Sequence, residues 1–492
     1  MSTEVIVKKF DGGIAEDVRT TAQDQAETMG NFDISSNPHL LSPYLDSVSE
    51  TVTGQTITDY QLSGIAYARS SGNNYIVALG NLSSVSANPT FFYKTTISAG
   101  FTIGGNGTGN VMDGSLVVYK NEAYALGFSG STWTLWKWTA PNTATSIGTI
   151  SYSFTGSVIV PRPFVHPEDN VLYIIIGNTI STYDGSSLTT YSSILPTGFI
   201  GTSLTNYGAY LAIGCQAIIT PDTTRAYLWG RDGTINTLQG IVDFGEGNLI
   251  AVENIGNVLC GLTISGNSVS SSIRSRLELK TYSGGAVETV KSVELSTSIG
   301  GTYKKARYRD KCYFGLSSDD SVWVFGKNKE GRWFLGKDRF ILNGSTIGTS
   351  IIGIQFLDDY MYIGFASVSQ SGQFRRTDTG YTSTSYYRTT TNPNMTDLDR
   401  EKKKQLVNVA VAYTGGSGAG TVALKYNPDS TGLVSIISQA TTANEENVIE
   451  ATKEADEDPF NEAWEYKFQV ETTGGVKIKE IRYKYDKLQT QN

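Results

Sequence analysis

The chain has 492 residues, a formal net charge of −8, three cysteines and only two histidines, with 39% hydrophobic and 17% charged residues. That length holds roughly two to four domains with full cores, and the composition excludes a disordered polyelectrolyte. The 52 glycines are dispersed among hydroxyl and aromatic residues with no G-X-Y period, which excludes collagen. Thr, Val, Ile and Tyr recur in short runs, and aromatic residues make up 11% of the chain. Such residues suit a pleated, half-buried surface, so the expectation is β structure. No apolar run approaches the ~18 residues of a membrane span. The run at 171–176 is strand-sized, and residues 1–13 lack an apolar signal core, so neither a membrane partner nor export by a standard signal is expected.

Residues 1–58 carry no repeat. Residues 5–7 read as a short strand, Phe10-Asp11-Gly12-Gly13 as a turn, and 22–29 as a polar, helical stretch. Asn37-Pro38-His39 and Ser42-Pro43 read as extended, because a residue before proline avoids the α region. Such an arm is suited to wrap or close the domain that follows.

From residue 59 one element recurs: an apolar strand, a tight polar turn, and a second apolar strand ending near glycine. The seven copies span 65–80, 116–127, 163–177, 203–214, 251–261, 305–315 and 353–364. Their closing glycines (Gly80, Gly127, Gly177, Gly214, Gly261, Gly315 and Gly364) recur about every 47 residues. Asn, Asp and Gly at the turns supply the positive φ that tight hairpins demand. Most copies continue into a second hairpin, as at 134–138, 180–183, 226–229, 277–282 and 321–334. Four strands at a period of 40 to 50 residues are the signature of a β-propeller blade. Seven copies predict about seven blades over 59–380, and N-terminal strands that close the ring or add a blade would leave the number between six and eight. The closing glycines are expected to permit close backbone approach near the central channel.

After Arg376 the repeat ends, and 377–391 reads as a connector. Strand candidates follow at 406–413, 421–426, 434–438, 463–470 and 476–485, which predicts a separate β-sandwich over 381–492. Between Thr441 and Glu465 nine acids oppose one base, so this segment alone carries −8 and the remaining chain is neutral. A neutral body argues against general nucleic-acid binding.

Chemistry is sparse. Cys215, Cys260 and Cys312 lie in apolar runs and read as buried small hydrophobes, not a disulfide framework or zinc set. His39 and His166 read as structural, and no convincing G-x-S-x-G elbow accompanies them. The glycine-rich 104–109 lacks the G-K-[ST] and the helix that a phosphate site needs, and reads as a blade loop. The pairs Asp319-Asp320 and Asp358-Asp359 are the carboxylates available to a glycoside hydrolase, although the second forms a repeat turn where Asp is favoured anyway. A sialidase-type S-x-D-x-G-x-x-W box is not matched by 317–323. The acidic 454–462 offers oxygen ligands for calcium but no EF-hand spacing, and reads as a solvated loop or a charge-matched interface. The basic run 304–311 reads as an exposed outer strand, or as a face toward another subunit or an anionic polymer in a channel. Trp133, Trp136, Trp138, Trp229, Trp323 and Trp333 fall in outer hairpins and read as inter-blade core in preference to a sugar platform. No catalytic, cofactor or metal residue is therefore assigned. The candidate subunit-interface residues are Lys304, Lys305, Arg307 and Arg309 on the basic run, and Glu454, Asp456, Glu457 and Asp458 on the acidic one.

Both flanks carry a resemblance. Residues 10–19, Asn31-Phe32-Asp33-Ile34 and 37–44 resemble the N-terminal part of propeller-type structural proteins of tailed bacteriophages. Asp458-Pro459-Phe460-Asn461-Glu462-Ala463-Trp464 and Lys479-Glu480-Ile481-Arg482-Tyr483 are similar to the same group at its C-terminal end. These flanks cover about a quarter of the chain, and the propeller between them is compatible but generic. The resemblance implies a non-enzymatic virion protein made in the bacterial host cytoplasm. It implies a tail nozzle, hub or head–tail junction, assembled as a homo-oligomeric ring against other tail or connector proteins. DNA passing through a channel is a further contact it allows. The alternatives from other classes are a glycan- or host-receptor-binding propeller and, further off, a propeller glycoside hydrolase.

Overall fold

The computed structural model describes residues 2–7, 13–14, 25–30, 32–33, 42–43, 47–53, 60–82, 90–107, 110–111, 115–129, 132–141, 143–151, 163–191, 194–218, 223–230, 237–265, 275–295, 304–316, 321–328, 330–340, 350–366, 373–377, 385–389, 403–429, 431–452, 460, 462–463 and 466–488. The regular elements assigned among them are strands.

Local chemistry sets the hairpins. Ser71 and Gly72, Lys120 and Asn121, and Gly256 and Asn257 each hold positive φ at both central positions of a two-residue turn. This is the turn whose twist matches that of paired strands. Gly208, Arg309 and Asp358 hold positive φ at the first central position of the equivalent turns.

Each of these hairpins begins a consecutive antiparallel sheet. Blade 1 comprises Tyr60–Ser70, Asn73–Leu82, Thr90–Lys94 and Thr102–Asn106. Blade 2 comprises Val117–Tyr119, Glu122–Ser129, Thr132–Ala140 and Thr143–Ser151, with Asn110–Val111 also pairing its second strand. Blade 3 comprises Phe164–Val165, Leu172–Ile176, Thr179–Tyr183 and Leu188–Tyr191. Blade 4 comprises Phe199–Tyr207, Tyr210–Ala217, Thr223–Trp229 and Leu238–Glu246, and blade 5 comprises Asn248–Ile255, Val258–Ser265, Ser275–Tyr282 and Val287–Leu295. Blade 6 comprises Lys304–Tyr308, Lys311–Gly315, Ser321–Lys327 and Trp333–Phe340. Blade 7 takes Ser350–Leu357, Tyr360–Ala366 and Gln373–Thr377 from its own repeat, and its fourth strand is Ser47–Ser49 from the N-terminal segment. At most junctions the first strands of neighbouring blades touch one another, so they are the innermost strands. The fold is a β-propeller of seven blades among the described residues.

The core is divided between the blades. Seven apolar clusters each draw on two consecutive blades, and the period of two along a strand explains how. On the second strand of blade 1, Ile76 and Ala78 join blade 7, whereas Val77 and Leu79 join blade 2. On that of blade 3, Leu172, Ile174 and Ile176 face blade 2, whereas Tyr173 and Ile175 face blade 4. Both faces are buried, hence the near-continuous apolar runs in these strands. Cys215, Cys260 and Cys312 are buried and unbridged in the inter-blade clusters, and burial pushes their thiols up. Trp133, Trp138 and Trp323 are fully buried there as well.

Closure relies on two close fits. A Cβ placed on Gly353 of blade 7 would sit 1.8 Å from the Ser63 carbonyl oxygen of blade 1, so only a glycine lets these innermost strands approach. Beyond Ser47–Ser49 the chain crosses to blade 1, where Phe101 N–H donates to Thr51 O at 2.8 Å and Thr53 N–H to Phe101 O at 2.7 Å. Between them Lys94 Nζ lies 2.7 Å from Glu50 Oε2, donates to Ile97 O at 2.8 Å and sits 4.5 Å above the Phe101 ring. Both side chains of this ion pair are buried.

The remaining strands form two further sheets. Ser2–Val7, Lys477–Lys487, Lys404–Thr414 and Glu446–Thr452 pair in that order. Gly13–Ile14, Gln25–Gly30, Ser385–Thr389, Tyr466–Thr472, Gly420–Pro428 and Val434–Thr441 make the other. Both contribute to one apolar cluster that includes Val7, Tyr387, Val411, Leu424, Phe468 and Tyr483. Two expectations are corrected here. The stretch expected as helix carries the strand Gln25–Gly30, because Ser385–Thr389 offers it an open sheet edge. The connector expected at 377–391 contains that partner strand. The N-terminal segment therefore serves both units: Ser47–Ser49 closes the propeller, and Ser2–Val7 and Gln25–Gly30 join the C-terminal sheets.

Two outcomes test the closure. Lys94→Met leaves Glu50 buried without its partner and is expected to lower stability by about 3–5 kcal/mol in denaturant unfolding, most of it recovered in the Lys94→Met/Glu50→Gln double variant. Gly353→Ala is expected to cost about 1–3 kcal/mol in the same measurement, through overpacking against Ser63.

Candidate functional site

The turns joining first and second strands gather at one end of the central channel, and polar groups there tie most blades to the next. Between blades 6 and 7, the Tyr308 hydroxyl donates to Asp359, and Arg309 Nη2 lies 3.1 Å from the same carboxylate. Between blades 7 and 1, the Tyr67 hydroxyl donates to Asp358 Oδ2 at 2.6 Å, and Ile65 N–H donates to Gln355 Oε1 at 3.3 Å. Arg69 N–H of blade 1 donates to Asn121 O of blade 2 at 2.6 Å. Lys120 Nζ of blade 2 reaches Asp184 O of blade 3 at 2.5 Å. Between blades 3 and 4, His166 is fully buried, with Nε2 3.3 Å from Tyr210 O. Its Nδ1 accepts from Glu168 N–H at 3.3 Å, so the tautomer that satisfies both contacts carries its proton on Nε2.

Deeper in the wall, three first strands meet at one carboxylate. Glu253 of blade 5 accepts from Thr205 Oγ1 of blade 4 at 3.1 Å and from Lys305 Nζ of blade 6 at 2.9 Å. Lys305 also donates to Val252 O at 2.6 Å, and Arg307 Nη1 approaches Glu253 at 3.9 Å. Ser203 Oγ accepts from Val252 N–H at 2.8 Å beside them.

These positions revise the expected site. The basic run forms an innermost strand, Lys304–Tyr308, and not an outer one, because it opens its blade as the first strand of the repeat. Lys305 is turned to an intramolecular partner and its side chain is only 14% exposed. Arg307 and Arg309 remain accessible, at 42% and 73%. Lys304 contributes its backbone to that strand. Glu454, Asp456, Glu457 and Asp458 lie outside the described residues, as do His39, Asp319 and Asp320. Asp358 and Asp359 occupy a turn as expected, yet each is bound to a different neighbouring blade, so they do not converge on a common substrate position. Gly104 and Gly105 belong to the outermost strand of blade 1, where Gly104 O accepts from Trp138 Nε1 at 3.0 Å, so the loop expected there is a packed strand edge.

Sequence reasoning passed over Tyr67, Tyr308 and Glu253. Tyr67 and Glu253 sit in strands that read as apolar, and Tyr308 lies in the basic run read as an exposed outer strand. Their partners lie in other copies, Asp358 and Asp359 at the turn of the seventh and Lys305 in the first strand of the sixth.

No protein-family profile matches the chain, and no curated protein sequence matches it. Among solved structures, the WD40 domain of Toxoplasma gondii coronin is similar at 11% identity and a TM-score of 0.43, over 71% of this chain and 88% of that one. The β-propeller domain of the Trilobed protease from Pyrococcus furiosus is similar at 11% identity and 0.39, over 66% and 95%. Trypanosoma rangeli sialidase, solved with sialic acid, is similar at 10% identity and 0.34, over 92% and 97%. The blade assignment rests on the strand pairing described above. The class defined by that pairing is a β-propeller protein closed by a strand from its N-terminal segment.

The Tyr67 contact carries a titration. The hydrogen bond to Asp358, followed by burial, raises the Tyr67 phenol from 10.0 to about 12. A pKa raised on folding contributes stability that is fully present below pH 10 and lost as pH rises through about 12. The tyrosinate absorbance difference between wild type and Tyr67→Phe is expected to show a midpoint near 12, moved toward 10 by Asp358→Asn.

Proposed function

We propose that this chain is a structural component of a bacteriophage virion, a tail nozzle, hub or head–tail junction protein that assembles as a ring. The observation that supports this reading is the placement of the segments that carry the resemblance. Phe32 from the N-terminal flank and Phe460, Ile481 and Tyr483 from the C-terminal flank are buried in one apolar cluster. The ends of the chain thus form a common unit, and the same N-terminal segment closes the propeller. A ring of blades packed on both faces and tied at its turns resists deformation, as a part that transmits load or surrounds a channel must. In this reading the protein catalyses nothing and needs no cofactor. Its partners are further copies of itself and adjoining tail or connector proteins, with DNA passing through the assembly as a further contact.

Repeated contact of one patch with a different patch on the next copy generates a closed ring. In the proposed assembly, Arg307 and Arg309 supply one patch and the acidic segment with Glu454, Asp456, Glu457 and Asp458 supplies the other. Electron microscopy of the purified protein and of virions is expected to display discrete closed rings, with this chain as a symmetric layer of the tail. Charge reversal at Arg309 or across the four acids is expected to dissolve the rings and leave folded monomers. A persistent monomer absent from particles would sink the proposal, and rings unchanged by charge reversal would remove these two patches from it.

A further inference from the structure

At the turn end of the channel, a groove of about 380 Å³ lies between blades 1 and 2, lined by Tyr67, Ala68, Arg69, Asn74 and Asn121. We infer that this groove is a carbohydrate-binding subsite, with a sugar ring stacked on Tyr67 and its hydroxyl or carboxylate groups held by Arg69, Asn74 and Asn121.

Four features converge on that ligand. Tyr67 is 45% exposed, although most of the large side chains on the inner blade strands are buried. Its hydroxyl is tethered to Asp358 at 2.6 Å, which holds the aromatic ring in place as a preformed platform. An aromatic face of this kind supplies apolar contact area at low conformational-entropy cost. Arg69 and Asn74 face each other across the hairpin, Arg69↔Asn74 in register, with Arg69 Nε donating to Gly72 O at 3.4 Å. Asn121 enters from blade 2 at a fixed position, because its backbone oxygen accepts from Arg69 N–H and its φ of 65° belongs to the two-residue turn.

The groove therefore combines one exposed aromatic ring, one guanidinium and two carboxamides. The amides donate and accept, which matches hydroxyls that do both, and the guanidinium matches a carboxylate or vicinal hydroxyls. Among the described residues the lining offers the groups of a binding site, an aromatic ring with a guanidinium and carboxamides around it. The volume is that of a site for one or two sugar rings, within the range usual for small-ligand pockets, roughly 300–1,000 Å³. This inference stands apart from ring assembly, since it depends on the turn face of blades 1 and 2 and not on the patches assigned to subunit contact.

The test is a glycan array of neutral and uronic-acid-containing bacterial surface oligosaccharides, followed by titration calorimetry with the retained glycans. The wild-type protein is expected to retain a subset. Tyr67→Ala is expected to weaken binding by about tenfold or more, as loss of a central aromatic contact does. Tyr67→Phe, which keeps the ring and loses only the tether, is expected to retain most of the affinity. Arg69→Ala is expected to weaken acidic glycans more than neutral ones. Thermal unfolding and ring imaging of each variant separate a lost subsite from a lost fold or assembly. The inference is overturned if no glycan is retained, if Tyr67→Ala binds as wild type does, or if the groove retains only peptides or nucleotides.

Discussion

A four-stranded sheet that is apolar on both faces cannot be stable by itself, and every blade of this protein is such a sheet. Each apolar face needs a neighbour, so the ring must close or leave two faces bare. The interface between blades 7 and 1 is thus the one on which the other six depend. It is made by a strand from the opposite end of the sequence, by a glycine that lets two innermost strands meet, and by a buried lysine–glutamate pair. Burying two charges is costly, and their mutual attraction and the extra hydrogen bond of Lys94 to Ile97 O offset that cost. The pair favours one docking of the N-terminal strand, because any other leaves a buried charge alone.

The polar ties at the turns add a second level of order. Apolar packing between sheets is tolerant of sliding, whereas a hydroxyl aimed at a carboxylate is not. Tyr67 with Asp358, Tyr308 with Asp359, His166 with Tyr210 and Glu253 with Lys305 set the registration of successive blades. The same ties spend groups that would otherwise be available for chemistry. Asp358 and Asp359 are occupied by different neighbours, and Glu253 is shared between blades 4 and 6. Arg309 keeps most of its surface in solvent at the channel mouth.

Much of the propeller was legible because local chemistry repeats. Asn and Gly at 72, 121, 208, 256 and 257 marked turns that do adopt positive φ, and the apolar runs between them are strands buried on both faces. The three cysteines and the large tryptophans read as core for the same reason. Failures cluster where a strand owes its existence to a partner. Gln25–Gly30 is polar and, with Gly13–Ile14 beyond it, extends a sheet whose remaining strands come from after residue 384. Glu446–Thr452 lay hidden in the acidic segment, because it is an edge strand with Ile449 as its one fully buried residue. The basic run 304–311 looked solvent-facing from its charges, yet Lys305 points to a carboxylate 52 residues away.

By itself the sequence determined the class of fold, the spacing of the blades and the positions of their first turns. These follow from side-chain period and from the φ that each turn residue accepts, both of which are local. Only the tertiary structure decided which strand completes blade 7, that the two ends of the chain build one unit, and which charges are spent within the molecule. It also decided that Tyr67, one aromatic among 28 tyrosines, stands exposed beside Arg69, Asn74 and Asn121. Those outcomes depend on contacts between residues tens to hundreds of positions apart, and no period or turn residue records them.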